Sequence, residues 1–441
     1  MTCRRQRNQW FIHGRFAMKR VALLAVLFFV FYPFPSRAED DSTAGQWTLG
    51  GHLKVQGNLF RFPDDSAFHE LVGSNSVAQS LIGRLNAGIS RGPWDFAMSY
   101  QLVALHSDLL PAAGSVDGIS PVAGDVISDD RRWWDLTHVS THGDRSSIVS
   151  RFDRLYLGFT SEHMVWRFGR QAISWGNGLI FTPMDVFNPF DPAAVDKEYK
   201  TGDDMLYAQW LFASGADLQG IVSVRRNPET GQAASDESSL ALKYHGFIGS
   251  NEFDLLLAEH YDDLLLGVGG IVSLGGAIWR GDLTLTKTER HSVISAVSSI
   301  NRSWTWNGRN VTGLVEYYFT EFGQPDQKYA LDDLQQNPDL LQRLERGELF
   351  TLGRHYLAAS LTLELTPLLR VTPTMFVNLQ DPSCLAQLVA QYDWKQDVAL
   401  LTAINIPIGP DGSEYGGPES GADGKYLSGD ASVFVQAAWY F

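Results

Sequence analysis

The stretch Trp47-Thr48-Leu49-Gly50-Gly51-His52-Leu53-Lys54-Val55-Gln56-Gly57-Asn58-Leu59 sorts its side chains by parity. Odd positions carry Trp, Leu, Val and Gly, and even positions carry Thr, His, Lys, Gln and Asn, with Gly50 among them. Successive side chains of a strand point to opposite faces, so this period of two describes a strand with one apolar and one polar side. The pattern returns at Trp94, Phe96, Met98, Tyr100 and Leu102 against Asp95, Ser99 and Gln101. It returns again at Leu218, Gly220, Val222 and Val224 against Asp217, Gln219, Ser223 and Arg225. A fourth copy sets Leu357, Ala359, Leu361, Leu363 and Leu365 against Arg354, Ser360, Thr362 and Glu364.

A soluble sandwich also alternates, so the connections decide. Tight turns fall at 91–93, 161–163, Ser214-Gly215, 248–251, Asn307-Gly308, Thr366-Pro367 and 393–396. Longer polar links fall between them, at 61–78, 107–149, 173–203, 227–236, 320–353 and 408–429. Short turns on one side and long loops on the other are the habit of transmembrane barrels, whereas a sandwich has no reason to sort its loops by side. The spacing predicts an all-β fold, a transmembrane antiparallel β-barrel of about 18 strands, with 16 as the alternative because residues 264–306 divide ambiguously. No helix-length apolar run competes beyond the leader. The nearest, 264–279, holds Gly267, Gly269, Gly270, Gly275 and Gly276, a poor helix but two good strands meeting at Gly275-Gly276.

The first 38 of the 441 residues hold seven of the 35 Lys and Arg and none of the 50 Asp and Glu, so the remainder carries a formal charge of −22. Met18-Lys19-Arg20, an apolar run at 21–32 and the small-x-small site Ser36-Arg37-Ala38 read as a secretory signal over residues 1–38. Met18 is an alternative true start, and residues 39–441 form a single barrel domain. Of the two cysteines, Cys3 lies in the leader and leaves Cys384 unpaired, so no disulfide framework exists. The acidic balance argues against nucleic acid as a partner. No metal-ligand spacing, phosphate loop or dinucleotide fingerprint is present, and no cofactor or metal is expected. His106-Ser107-Asp108 has the residue types of nucleophilic catalysis, but strand neighbours point to opposite faces, and no enzyme is expected.

The chain ends on Asp430–Phe441, with Val433, Val435, Trp439 and the terminal Phe441 on one face. This resembles the terminal strand by which bacterial outer-membrane barrels are recognised for insertion. The resemblance implies the outer membrane of a Gram-negative bacterium as the destination. It also implies the barrel-assembly machinery and periplasmic chaperones as transient partners, and lipopolysaccharide and outer-membrane lipids as surroundings.

A wall of this width leaves an aqueous lumen, where about eight strands would be filled by side chains. Passive diffusion of small polar or charged solutes is therefore the leading expectation. The link 173–203 contains Trp175-Gly176-Asn177-Gly178 and Asn188-Pro189-Phe190-Asp191-Pro192. It is too rich in Pro and Gly for strands and too apolar for open solvent. With Gly169-Arg170-Gln171 before it and Gly202-Asp203 after it, the segment resembles the third external loop of porin-like families, including alginate-export-type barrels. In those the loop folds into the lumen as a constriction.

The inward parity of the strands offers Arg84, Arg154, Arg167, Arg225, Lys243, Arg280, Arg354 and Arg370, and the approach to the loop offers Arg170. The loop offers Trp175, Asp185, Asp191, Asp196, Glu198, Asp203 and Asp204. An acidic loop facing a basic wall would set a transverse field across a poorly screened eyelet. The same residues read equally as neutralising pairs that hold the loop to the wall. Two other functions stay open: an exporter of an anionic polysaccharide, with the basic wall as its track, and a non-conducting scaffold for a periplasmic or extracellular partner. A homotrimer is compatible with a porin-like barrel.

Overall fold

The alternating stretch forms β1 (Gln46–Arg61), which pairs along its whole length with β2 (Asn75–Arg91) and on its other edge with the last strand, β19 (Ser432–Tyr440). First and last strands thus meet, and the sheet has no free edge. A computed structural model describes residues 45–112 and 128–441. The leader, with its cleavage site at Ala38, lies outside the described residues.

From β2 the wall continues through β3 (Trp94–Ser107), β5 (Ser146–Thr160), β6 (Met164–Gln171), β7 (Asp203–Leu211), β8 (Asp217–Arg226) and β9 (Ala233–Ile248). It goes on through β10 (Asn251–His260), β11 (Asp263–Leu274), β12 (Ala277–Lys287), β13 (Ser292–Trp306) and β14 (Arg309–Thr320). β15 (His355–Thr366), β16 (Leu369–Asn378), β17 (Ser383–Lys395) and β18 (Val398–Ile408) complete it. Each strand is antiparallel to its neighbours, giving a closed barrel of 18 strands. A further short strand, β4 (Thr137–Gly143), pairs only with the outer part of β5 and extends that hairpin above the wall.

Parity decides which way each residue faces. His52 and Lys54 are buried at 2% and 3% exposure, while Leu49 and Val55, of the opposite parity, stand at 62% and 55%. The apolar rows therefore face outward, the inverse of a soluble fold, and only a hydrocarbon surround makes that arrangement favourable. Trp47, Trp94, Trp210, Trp306, Trp394 and Phe441 stand exposed near the short-turn end, forming the aromatic girdle of a membrane–water interface. Val433, Val435 and Phe441 face the same apolar surround, and Trp439 packs on Phe441 while its Nε1 donates to Asp397.

The external side is uneven. Residues 261–262, 288–291 and 379–382 close three hairpins as tightly as the opposite turns, while 172–202 and 321–354 are long. The second of these carries α2 (Leu331–Gln335) and α3 (Pro338–Glu345); α1 (Ala67–Val72) lies in the first loop. Asn337 caps α3 by accepting from the Leu340 N–H, and Pro338 opens it where a missing donor costs nothing. α3 docks on two of the short turns, with Arg343 on Asp263 and Asp339 on Arg290 and Thr288. Short hairpins in that sector leave the ground on which the long loop sits.

Candidate functional site

The segment between β6 and β7, residues 172–202, folds against the inner face of the wall and follows it in strand order. It leaves β6 beside Gln171. Trp175, 3% exposed, donates its Nε1–H to Gln219 of β8 at 2.7 Å, with its ring edge-on to Phe187. Gly176 turns the chain at φ +93°, where an added Cβ would stand 3.1 Å from an Asp282 oxygen; both the backbone and the space call for glycine. The Asn177 backbone N–H then donates to Asp282 of β12 at 2.7 Å, and its side-chain amide donates to Asp282 and to Asp254 of β10.

Three consecutive N–H groups, of Leu179, Ile180 and Phe181, converge on the Glu316 carboxylate of β14 at 2.8, 3.0 and 2.6 Å. Phe181 stacks on Tyr318 with centroids 4.6 Å apart. Buried backbone donors must find acceptors, and here the wall supplies them.

The path continues. Gln387 of β17 donates to the Ala193 carbonyl at 2.8 Å. Lys54 of β1 meets Asp196 at 2.6 Å and Glu198 at 2.8 Å, and the Tyr440 hydroxyl of β19 donates to Glu198. Tyr199 stacks on His52 and lies 4.2 Å under the Arg84 guanidinium of β2. On β5, Arg154 donates to the Lys200 carbonyl, and Asp153 takes the Gly202 N–H. Lys200 turns inward to Asp185, at 2.6 Å, and to the Ile173 carbonyl, joining the two ends of the loop. The contacts run β8, β10, β12, β14, β17, β19, β1, β2, β5 and back to β7, one circuit of the inner wall.

Two apolar clusters seat the belt. Trp175, Met184 and Phe187 pack on Met205, Ile221, Ala241, Leu256, Ala258 and Leu265 of β7 to β11. Phe181 joins Val293, Val297, Tyr318 and Tyr356 of the wall with Leu334, Leu340 and Leu349 of the 321–354 loop.

The residues singled out from sequence divide into groups. Arg154, Trp175, Asp185, Asp196 and Glu198 belong to the belt and its anchors. Asp191 stays local, accepting from its own Ala193 N–H at 2.8 Å. Asp203 begins β7 rather than closing the loop, and it pairs with Arg225 at 2.6 Å; both are nearly inaccessible. Arg170, 2% exposed, is committed to Asp204, Asp129 and the Trp134 carbonyl. It fastens the second external loop to β6 and β7. Arg167 lies over the Tyr156 ring, its Nε buried with no hydrogen-bond partner among the described residues.

Three further candidates, like Arg167, Arg170 and Arg225, make no hydrogen bond to the belt among the described residues. Arg280 binds Asn301, Arg354 donates to Gly323 at the base of the 321–354 loop, and Arg370 is exposed near the short-turn end. The expected division into acidic loop and basic wall gives way to acids on both partners. Asp254, Asp282 and Glu316 arm one sector of the wall. The other carries Lys54 and three guanidiniums, Arg84, Arg151 and Arg154, gathered on Asp153 at 2.7, 3.3 and 2.8 Å. His52, Lys54, Asp153, Asp254, Asp282 and Glu316 were missed as site residues. Their signal was present, since each is a charged or ring-nitrogen side chain in or beside the inward row of a strand.

Two further clusters, His106-Ser107-Asp108 and Arg131-Arg132-Trp133-Trp134, pair within the fold. His106 Nδ1 meets Ser146 and Asp108 meets Arg145, so His106-Ser107-Asp108 forms no catalytic triad. Trp133 and Trp134 stack on each other and edge Phe168, and Arg131 and Arg132 pair with Glu237 and Asp129.

No family model matches the sequence, and no curated protein matches it. Solved structures do resemble it. Acinetobacter baumannii OccAB4 aligns over 91% of this chain and 100% of its own, at 7% identity and a TM-score of 0.52. Acinetobacter baumannii OccAB1 covers 91% and 99% at 11% identity and 0.49. A BenF-like porin from Pseudomonas fluorescens Pf-5 covers 90% and 98% at 9% identity and 0.48. At such identities the likeness is one of fold. With its closed wall, outward apolar rows and aromatic girdle, the chain is a bacterial outer-membrane β-barrel.

Proposed function

We propose that the barrel is a porin-like channel for passive diffusion of small polar or charged solutes, with residues 172–202 as its constriction. One observation carries this reading: the loop circles the inner wall and is fastened to it on every side. A plug held from one side would sit across the lumen, whereas a belt fastened all round narrows the water path from its margin. Below the belt the inward rows offer Asp217, His245, Asn301, Thr362 and Gln391, a surface suited to water. Solute then crosses by diffusion, with no covalent step.

The cationic group around Asp153 favours a second reading, an exporter of an anionic polysaccharide. Single-channel conductance in planar bilayers, with the reversal potential under a salt gradient, tests both. Shortening the loop between Gly176 and Lys200 is expected to enlarge the unitary steps. Absence of conductance from folded, inserted protein overturns the channel reading. A reversal potential set strongly by anions, with sugar-acid oligomers blocking the current, moves the assignment to the exporter.

A further inference from the structure

Charged side chains on the outward rows stand at strand ends, as Arg61, Arg91, Lys287 and Arg309 do. Arg302 stands inside β13, on the row of Ile300, Trp304 and Trp306, which are 45%, 43% and 62% exposed. It is itself exposed and makes no hydrogen bond or ion pair among the described residues. Its neighbours across the sheet are Ala277 and Gly313, too short to cover it and without a charge to answer it. Four residues further on β13 ends at Trp306, roughly 10 Å along the membrane normal for a strand tilted ~40°. The guanidinium therefore lies just inside the aromatic girdle of the short-turn end. A cation at that depth is tolerated when its long side chain carries the head to polar groups of the interface.

A groove of about 620 Å³ opens beside it on the lipid-facing side of β12 to β16. Ala277, Gly313 and Ala359 form its floor, and Ile300, Leu361 and Met375 form its walls. The Trp304 indole lies over Gly313, where an added Cβ would stand 3.0 Å from the ring. An apolar trough thus adjoins one guanidinium, and no carboxylate lines it.

We infer that this groove holds an anionic phospholipid of the periplasmic leaflet, with its phosphate on Arg302 and one acyl chain along the trough. A guanidinium fork matches phosphate oxygens bidentately, and basic side chains beside apolar membrane surface recognise lipid headgroups in this way. A zwitterionic lipid brings its own ammonium, which competes with the guanidinium for the phosphate. A second copy of the chain fits less well, because a twofold contact through this face would set Arg302 near another Arg302. The inference rests on the outer-membrane barrel and not on the channel reading.

The test is native mass spectrometry of the purified, folded barrel in mild detergent, with dioleoyl phosphatidylglycerol and dioleoyl phosphatidylcholine as probes. One phosphatidylglycerol is expected to stay bound, at least about fivefold more tightly than phosphatidylcholine, as one charge-assisted contact allows. Arg302→Gln is expected to abolish that preference. Ala359→Phe fills the trough from β15, away from the charge, and is expected to weaken both lipids. Glycerol phosphate, a headgroup without chains, is expected not to displace the bound lipid. Unitary conductance is expected to be the same in both variants, which keeps this test separate from that of the channel.

The inference is overturned if the two lipids bind equally, or if folded Arg302→Gln keeps the preference. It is overturned equally if folded Ala359→Phe binds both lipids as before, or if glycerol phosphate alone displaces them. An oligomer that forms without lipid and is lost in Arg302→Gln would make this face a subunit interface, and would overturn it too.

Discussion

The two halves of the belt are held in opposite ways. Along β8 to β14 the wall accepts and the loop donates: Gln219, Asp254, Asp282 and Glu316 take up an indole N–H, a side-chain amide and the backbone N–H groups of 177 to 181. Along β17 to β5 the wall mostly donates: Gln387, Lys54, Tyr440 and Arg154 reach carbonyls and the side chains of Asp196 and Glu198. Backbone donors exist at every residue except proline, so most of the first grip is nearly indifferent to the loop's side chains. The second depends on two carboxylates and changes if they do. One half behaves as architecture, and the other is where charge in the eyelet is set.

Glu316 gives the sharpest break. Glu316→Ala removes the acceptor of three N–H groups at once, the Phe181 one fully buried, each charge-assisted bond worth roughly 1.5–3 kcal/mol at most. The expected result is release of the 179–181 segment and enlarged, noisier unitary conductance, approaching that of the shortened loop. Lys54→Gln, by contrast, is expected to keep the conductance within about twofold and shift the reversal potential toward cations, because Asp196 and Glu198 lose their counter-ion. Planar-bilayer recording of both variants decides the matter. If Lys54→Gln opens the pore more than Glu316→Ala, the assignment of architecture to one half and charge to the other is wrong.

Gly176 tests the first grip from the loop's side. Its positive φ and the nearby Asp282 oxygen leave little room for a side chain, so Gly176→Ala is expected to cost about 1–2 kcal/mol locally. The readout is faster hydrogen exchange at Asn177 and Gly178, with the barrel's own heat-resistant mobility on gels unchanged. Uniform loss of barrel stability would mean that the belt and wall fold as one unit.

The wall was legible from sequence because its information is local. Parity at Trp47–Leu59 or Leu357–Leu365 states which face meets lipid, and short turns mark where strands end. The path of the belt was not legible. Leu179 and Glu316 are 137 positions apart, and a backbone N–H has no residue type to announce it. Parity also gives the face of a side chain but not its height along the barrel. Arg280, Arg354 and Arg370 were therefore grouped with Arg154, although only Arg154 stands level with the loop. Arg170 shows a third gap, since its partners Asp129 and Asp204 come from a different loop and the next strand.

Glu414 extends the comparison to a carboxylate carried by another loop. It lies in the last external loop and accepts from the Tyr356 hydroxyl at 2.6 Å, Asn378 at 2.7 Å and the Leu352 N–H at 2.9 Å, tying that loop to β15, β16 and the 321–354 loop. Burial, with Asp381 close by, lifts its pKa from the ordinary 4.5 to about 7, while the hydrogen bonds pull the other way. Below pH 4.5 the docked and undocked forms are both protonated, and docking is at its strongest. As the pH rises from 4.5 to 7 the undocked loop ionises first, so docking weakens across that window and levels off above it. Hydrogen-exchange protection of residues 413–417 is expected to fall with rising pH over the same range. Glu414→Gln, which keeps the acceptor and removes the titration, should flatten the profile. Protection that instead grows with pH would place this carboxylate with Asp196 and Glu198, held as a charge and not as an acceptor.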